Sequence, residues 1–122
     1  MAHGETPDVN RLLDDAFARV AAESVQALAA PSRLRILARL NAGPASVSEL
    51  ADAVGMEDSA VSHQLRLLRH LGLVVGARNG RQVVYELHDD HVAEMLGQVV
   101  SHVEHVRRGL AGRTAIAGSA RE

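Results

Sequence analysis

Residues 46–72 read SVSELADAVGMEDSAVSHQLRLLRHLG, and this segment carries the strongest pattern of secondary structure in the chain. Ser46 and Glu49 have the spacing of a capping box, in which each side chain accepts a hydrogen bond from the backbone N–H of the other residue. The pattern predicts a short helix that ends at Gly55 and a second helix over about residues 58–70. A short helix, a tight turn with Gly and a second helix form the helix-turn-helix pattern.

Two β-rich runs follow the second helix. They are Leu73-Val74-Val75 and Gln82-Val83-Val84-Tyr85-Glu86-Leu87, and Arg78-Asn79-Gly80-Arg81 lies between them. Asn-Gly between two such runs is the strongest short signal for a β-hairpin. The predicted fold class is therefore mainly α with a small β-hairpin, which is a winged helix-turn-helix.

The second helix of the motif has one apolar and one polar face. Val61, Leu65 and Leu68 recur at i, i+4 and i+7, a spacing that directs them into the core. The opposite face carries short or planar donors and an arginine, which can reach base edges and phosphates, and further arginines flank the hairpin turn. The predicted DNA contacts are Ser59, Ser62, His63, Gln64, Arg66, Arg78 and Arg81. Each residue alone is explained equally well as solvated surface, whereas the ordered set indicates DNA binding.

Helical spacing of apolar residues predicts three more helices. The first covers residues 11–29, the second begins at Pro31 and ends near Asn41, and the last covers about residues 89–107. The predicted organisation is a disordered N-terminal arm over residues 1–10, one DNA-binding and dimerisation domain over residues 11–107, and a flexible C-terminal tail over residues 108–122.

Composition limits the class of protein. The chain has 122 residues, 47% of them hydrophobic, and no Cys, which excludes disulfides and thiolate metal sites. The net charge of −2 argues against a nucleic-acid partner for the chain as a whole, but four arginines and no acidic residue lie between Arg66 and Arg81. No apolar run is long enough for a membrane span and no signal peptide opens the chain, so a cytoplasmic protein without a membrane partner is expected.

The last predicted helix carries two groups of possible metal ligands. Asp89 and His91 lie at its start, and His102 and His105 follow, with His102 eleven positions after His91. At about 100° per residue these two histidines share one helix face, but at about 1.5 Å per residue they are roughly 16 Å apart. Because metal–nitrogen bonds are about 2 Å long, one helix cannot supply both groups to one ion.

Two antiparallel copies of this helix can bring both ligand pairs to one ion. Asp89 and His91 of one chain then face His102 and His105 of the other, and Gly97 lies at the midpoint, where a missing side chain would let the helices approach. The pattern predicts two metal sites that bridge a symmetric dimer. The alternative is a solvated helix that carries several of the seven histidines by chance.

The chain resembles the ArsR/SmtB family of metal-responsive winged-helix repressors, in its zinc- or nickel/cobalt-sensing branch. The resemblance covers about residues 20–107 and is carried by ALAAPSRLRIL at 27–37, SAVSHQLRLLR at 59–69, LGLV at 71–74 and GRQVVY at 80–85. It implies a homodimer built from the first and last helices. It also implies that the metal-free protein binds an inverted-repeat operator and is released by metal.

The family's sensing site resembles Asp89 and His91 of one chain with His102 and His105 of the other. The family's thiolate site would fall on residues 46–48, which contain no Cys, so soft-metal sensing is not expected. One carboxylate and three imidazoles suit Zn²⁺, and also Co²⁺ or Ni²⁺ if more ligands join. No organic cofactor is expected.

Residues near the site leave alternatives open. His3 and Glu104 are possible additional ligands, although a terminal residue and a solvated Glu explain them equally well. His88 and Asp90 adjoin the ligands, and the pattern alone favours ordinary surface positions over hydrogen bonding to the ligands. Glu57 departs from the Ser that the family typically has as the recognition-helix cap, and Asp58 is the predicted substitute.

Two other functions compete with metal sensing. A metallohydrolase would need an open coordination position and a general base, whereas four protein ligands would close this site, so the chain is predicted not to be an enzyme. A winged-helix regulator that responds to a non-metal ligand or to a partner is the second alternative, and it would leave the histidines without a role.

Overall fold

A computed structural model describes the backbone of residues 6–121 and the side chains of residues 6–110. The described part folds as five α-helices and a three-stranded antiparallel sheet of order β1-β3-β2, which confirms the winged helix-turn-helix class. The elements are a 3₁₀ helix Val9–Leu13, α1 Asp15–Gln26, α2 Pro31–Asn41, β1 Ala45–Ser46, α3 Val47–Val54, α4 Asp58–His70, β2 Val74–Asn79, β3 Gln82–Leu87 and α5 Asp90–Arg121.

The predicted capping box opens α3. The backbone N–H of Glu49 donates to Oγ of Ser46 at 3.3 Å, and the backbone N–H of Ser46 donates to Oε1 of Glu49 at 2.9 Å. The second bond holds the pKa of the Glu49 carboxyl below its ordinary value, because it stabilises the ionised form. Gly55 ends α3 with a φ of +68°, a left-handed conformation that suits glycine.

The recognition helix α4 has the predicted bounds but not the predicted cap. Glu57 is the N-cap residue, and its side chain makes no capping hydrogen bond. Asp58 is the first residue of the helix, and its Oδ2 lies 3.4 Å from the Ser48 hydroxyl, which donates to it across the helix-turn-helix. The prediction that Asp58 caps α4 is therefore wrong, because Asp58 already has helical geometry.

The wing has one strand more than predicted. β2 and β3 pair from Val74↔Leu87 to Asn79↔Gln82, and Gly80 makes the turn with a φ of +68°. The additional strand β1 pairs with the outer edge of β3, with Ala45 opposite Tyr85. A two-residue strand is too short to show any periodicity in the sequence, which is why the pattern did not predict it.

An aliphatic core fixes the orientation of α4. The predicted core residues Val61, Leu65 and Leu68 are fully buried. They pack with other fully buried side chains from α2, α3, β2 and α5, which are Ile36, Leu37, Leu50, Val74 and Val92. Because one face of α4 is buried in this way, its opposite face points to solvent.

The N-terminal region is not one helix over residues 11–29. Asp14 separates the 3₁₀ helix from α1, because its Oδ2 accepts a hydrogen bond from the backbone N–H of Phe17 at 2.9 Å and so caps the new helix. The predicted disordered arm overlaps the 3₁₀ helix at Val9 and Asn10. The rest of that prediction falls partly on residues 1–5, which lie outside the described residues.

Helix α5 continues past the predicted end at Arg107 and reaches Arg121, through most of the predicted tail. The glycines that suggested a tail are tolerated, because a single Gly inside a helix costs only about 1 kcal/mol relative to Ala and no Pro follows to break the helix. Over residues 6–121, no helix is both long enough and apolar enough to cross a membrane.

Candidate metal centre and nucleic-acid interface

The four predicted metal ligands lie at two separate places along α5. Asp89 directly precedes the helix and His91 is in its first turn, whereas His102 and His105 lie three turns further on, and all four are exposed. Helix geometry puts the two pairs roughly 16 Å apart. Accordingly, no group of three or more metal-ligating side chains comes together among the described residues of one chain.

Asp89 caps α5 as well as being a predicted ligand. Its Oδ1 accepts a hydrogen bond from the backbone N–H of His91 at 3.0 Å, and its Oδ2 lies 3.1 Å from Nδ1 of His88. The contact with the His88 ring, reinforced by the His91 backbone N–H, holds the pKa of the Asp89 carboxyl below its ordinary value. The preference of Asp for the N-cap position was the sequence signal for the capping role.

His88 is held at its backbone. Its N–H donates to the carbonyl oxygen of Leu73 at 3.0 Å, while its side chain remains about half exposed. The sequence pattern favours a plain surface position for His88 and keeps hydrogen bonding to the ligands as the alternative. The contact with Asp89 agrees with the alternative, and it forms where the end of β3 is fixed beside Leu73.

An apolar stripe runs along α5 beside the histidine face. Its members alternate at intervals of three and four residues, as in a coiled-coil seam. They are Leu96, Val99, Val103, Val106 and Leu110, and the last four are 37–55% exposed. An exposed apolar stripe with this spacing is typical of a helix surface that packs against another helix.

Gly97 does not lie on this stripe. It is two residues before Val99, which places it about 160° around the helix, and nothing lies within 4 Å of a Cβ built there. Gly97 is at the midpoint along the helix axis, but rotation around the axis turns it away from the stripe. The stripe residues nearest to the midpoint are Leu96 and Val99, and the role of Gly97 in close helix approach stays a prediction.

Helix α1 also exposes apolar side chains. It is amphipathic but has no buried residue, and its Val20 and Val25 are exposed. An open cleft of about 550 Å³ separates α1 from α5. Its apolar lining comes from Val25, Leu28, Met95 and Val99, and His91 lies on its wall.

The predicted DNA contacts lie on two surfaces. On α4, Ser59, His63 and Arg66 are exposed and Ser62 is half-buried, and at the wing tip Arg78 and Arg81 are exposed. Gln64 differs from the rest. It is half-buried, its Oε1 is fully buried, and no donor among the described residues reaches that oxygen. Its amide oxygen is therefore not on the open face of α4.

Of the two additional candidate ligands, Glu104 lies among the described residues and His3 does not. Glu104 is exposed on α5, but it lies about 160° around the helix from His102 and so does not share the histidine face. His3 lies outside the described residues.

Comparison with known proteins gives the family. Residues 30–75 match the family described as bacterial regulatory protein, arsR family. The HTH-type transcriptional regulator NmtR of Mycobacterium tuberculosis is 56% identical over 106 residues, which cover 87% of this chain and 88% of the relative. A transcriptional repressor SmtB homolog of Synechocystis is 46% identical over 83 residues, 68% of this chain and 63% of that protein.

The fold has a dimeric counterpart among solved structures. A homodimeric winged helix-turn-helix DNA-binding domain from Mycobacterium bovis superposes with a TM-score of 0.69 at 29% identity, covering 83% of this chain and 90% of that one. The relatives are transcriptional regulators and not enzymes, which confirms the prediction that the chain is not an enzyme. The chain belongs to the arsR family and is a transcriptional regulator of the ArsR/SmtB type.

Proposed function

We propose that this chain is a metal-responsive repressor that binds operator DNA as a homodimer and is released when Zn²⁺, Ni²⁺ or Co²⁺ binds between the two α5 helices. The observation that carries the proposal is the position of four exposed ligands. They form two pairs on one face of α5, beside an apolar stripe whose Val99, Val103 and Val106 are exposed in the described part of the chain.

A second copy of the chain is the partner that fits the exposed apolar surfaces. Helix α1 has no buried residue, and Val99, Val103 and Val106 of the α5 stripe are 37–44% exposed. Burying apolar surface contributes about 25 cal/mol per Å², so these two helices favour association. If two α5 helices pack antiparallel around Leu96 and Val99, Asp89 and His91 of one chain approach His102 and His105 of the other.

The residues fit a divalent transition metal. Carboxylate and imidazole are the ordinary oxygen and nitrogen ligands of Zn²⁺, and four of them make a closed tetrahedral site. Two hydrogen bonds already hold the Asp89 carboxylate. A bound ion would supply a rigid link between the two α5 helices. His3 is proposed as an additional ligand for Ni²⁺ or Co²⁺, whereas Glu104 faces away from the site and is left out.

Operator DNA fits the outer face of α4 and the wing. Arg66 on α4, and Arg78 and Arg81 at the wing tip, are exposed cations without a carboxylate partner among the described residues. In a symmetric dimer two such α4 helices reach successive major grooves when they are about 34 Å apart, which requires an inverted-repeat operator. Ser59, Ser62 and His63 are then placed to read base edges.

Thermodynamic linkage between DNA binding and metal binding explains why metal releases the protein from DNA. DNA binding requires one relative orientation of the two α4 helices, and tying the α5 helices together selects one orientation of the protomers. If the two orientations differ, each ligand weakens the binding of the other by the same factor, typically about 5–150-fold.

Fluorescence anisotropy with a labelled inverted repeat from upstream of the chain's own gene tests the function. The expected result is a loss of DNA affinity of about 5–150-fold with at least one of Zn²⁺, Co²⁺ and Ni²⁺. Arg66→Ala is the control, because it lowers DNA affinity at every metal concentration and leaves metal affinity unchanged. DNA affinity that is the same with and without each metal contradicts the proposal and favours the regulator of a non-metal ligand or partner.

A further inference from the structure

We propose that His88 is a positioning residue of the metal site, whose imidazole holds the Asp89 carboxylate in the orientation that the ion requires. The inference rests on the proposed function and adds to it a residue outside the four ligands. Its basis is a series of hydrogen bonds that joins Asp89 to the end of the recognition helix.

The first part of this series fixes the carboxylate. Oδ1 of Asp89 accepts from the backbone N–H of His91 at 3.0 Å, and Oδ2 lies 3.1 Å from Nδ1 of His88. An ionised carboxylate has about four lone-pair positions, so both hydrogen bonds can persist while it also binds an ion. The carboxylate is therefore oriented before an ion binds. The side-chain entropy of Asp89 is lost when the protein folds and not when the metal binds.

The second part fixes His88. Its backbone N–H donates to the carbonyl oxygen of Leu73 at 3.0 Å, and the N–H of Leu73 donates to the carbonyl oxygen of Leu68 in α4, also at 3.0 Å. Leu68 and Leu73 are both buried. The backbone of His88 is thus attached to a buried part of the fold, which fixes the position from which its half-exposed ring reaches Asp89.

A histidine beside a metal site can also be a ligand, and one substitution separates the two roles. In His88→Asn the amide N–H₂ can replace Nδ1–H as the donor to Asp89, but no imidazole remains to bind an ion. In His88→Ala the donor is lost as well. Loss of such a supporting hydrogen bond typically costs about 10–100-fold in metal affinity.

The test measures Zn²⁺, Co²⁺ and Ni²⁺ affinity by chelator competition in the full-length chain. We expect His88→Ala to weaken binding by about 10–100-fold and His88→Asn to remain close to wild type. His70→Ala, which removes another exposed imidazole at the end of α4, is the matched control and should not change the affinity. Wild-type affinity in His88→Ala, combined with a loss in His102→Ala, would overturn the role of His88 and leave the proposed function intact.

A second measurement does not depend on metal. In the metal-free protein, long-range ¹H–¹⁵N correlation at neutral pH should show a hydrogen on Nδ1 of His88, and Asp89→Asn should change that signal. An unprotonated Nδ1 overturns the proposal, as does equal weakening of metal binding by His88→Ala and His88→Asn. A wild-type chain that binds none of the three metals overturns the proposed function and this inference with it.

Discussion

His102→Ala is expected to abolish the response of DNA binding to metal while leaving the DNA affinity of the metal-free protein unchanged. His102 is exposed on α5 and takes no part in the core or in the α4 surface, so its loss should not disturb the fold or the DNA contacts. The wild-type response is expected to be about 5–150-fold, and the variant should show none at metal concentrations that saturate the wild type. Anisotropy titrations of both proteins measure this difference.

The His102→Ala experiment needs a control variant that removes an exposed histidine outside the metal site. His70 is exposed at the end of α4 and belongs to neither ligand pair, so His70→Ala should respond to metal as the wild type does. A full metal response in His102→Ala would place the sensing site elsewhere and contradict the ligand assignment. A fall in metal-free DNA affinity would show instead that His102 has a structural role.

Val103→Asp is expected to convert the dimer to a monomer and to remove tight operator binding. Val103 is in the middle of the apolar stripe and 44% exposed in the single chain. In the proposed dimer an aspartate there would place an unpaired charge in an apolar seam. A monomer has one DNA-reading helix and neither complete metal site, so DNA affinity should fall by about 10²- to 10⁴-fold through loss of bivalent binding.

Sedimentation velocity measures the oligomeric state of the variant directly. Gly97→Asp is a suitable control, because it adds the same charge to the same helix about 120° around the axis from Val103, where nothing lies within 4 Å of a Cβ. This control should remain dimeric. A dimeric Val103→Asp protein would show that the stripe is not the seam.

The fold was predictable where local chemistry and periodicity agree. Ser46, Glu49 and Gly55 mark the ends of α3 by capping and by left-handed backbone, and the spacing of buried residues sets the face of α4. The errors arose where one signal was considered alone. Asp14 was included in an amphipathic run although it caps a helix, and the late glycines were interpreted as the end of α5 although no Pro accompanies them.

Helix geometry alone predicts the relative positions of the candidate ligands on α5, and the rest of the site depends on tertiary contacts. Rise and rotation per residue put His91 and His102 on one face and too far apart for one ion, and these results depend on no tertiary contact. The contact between His88 and Asp89 depends on where β3 ends beside Leu73, which no sequence pattern specifies. Rotation around the helix turns Gly97 away from the apolar stripe, so position along the axis alone does not identify the residues of a helix contact.

In the proposed dimer each metal site takes its two ligand pairs from different chains, and mixing two variant subunits measures whether it does. One protein carries Asp89→Ala with His91→Ala, the other carries His102→Ala with His105→Ala, and neither homodimer keeps a complete site. After mixing and exchange of subunits, each heterodimer should regain one complete site, so Co²⁺ or Zn²⁺ binding should reappear at up to one ion per heterodimer. If the mixture binds no more metal than the two separate proteins, the ligand pairs do not meet across the dimer. That result would contradict the proposed metal site between two chains.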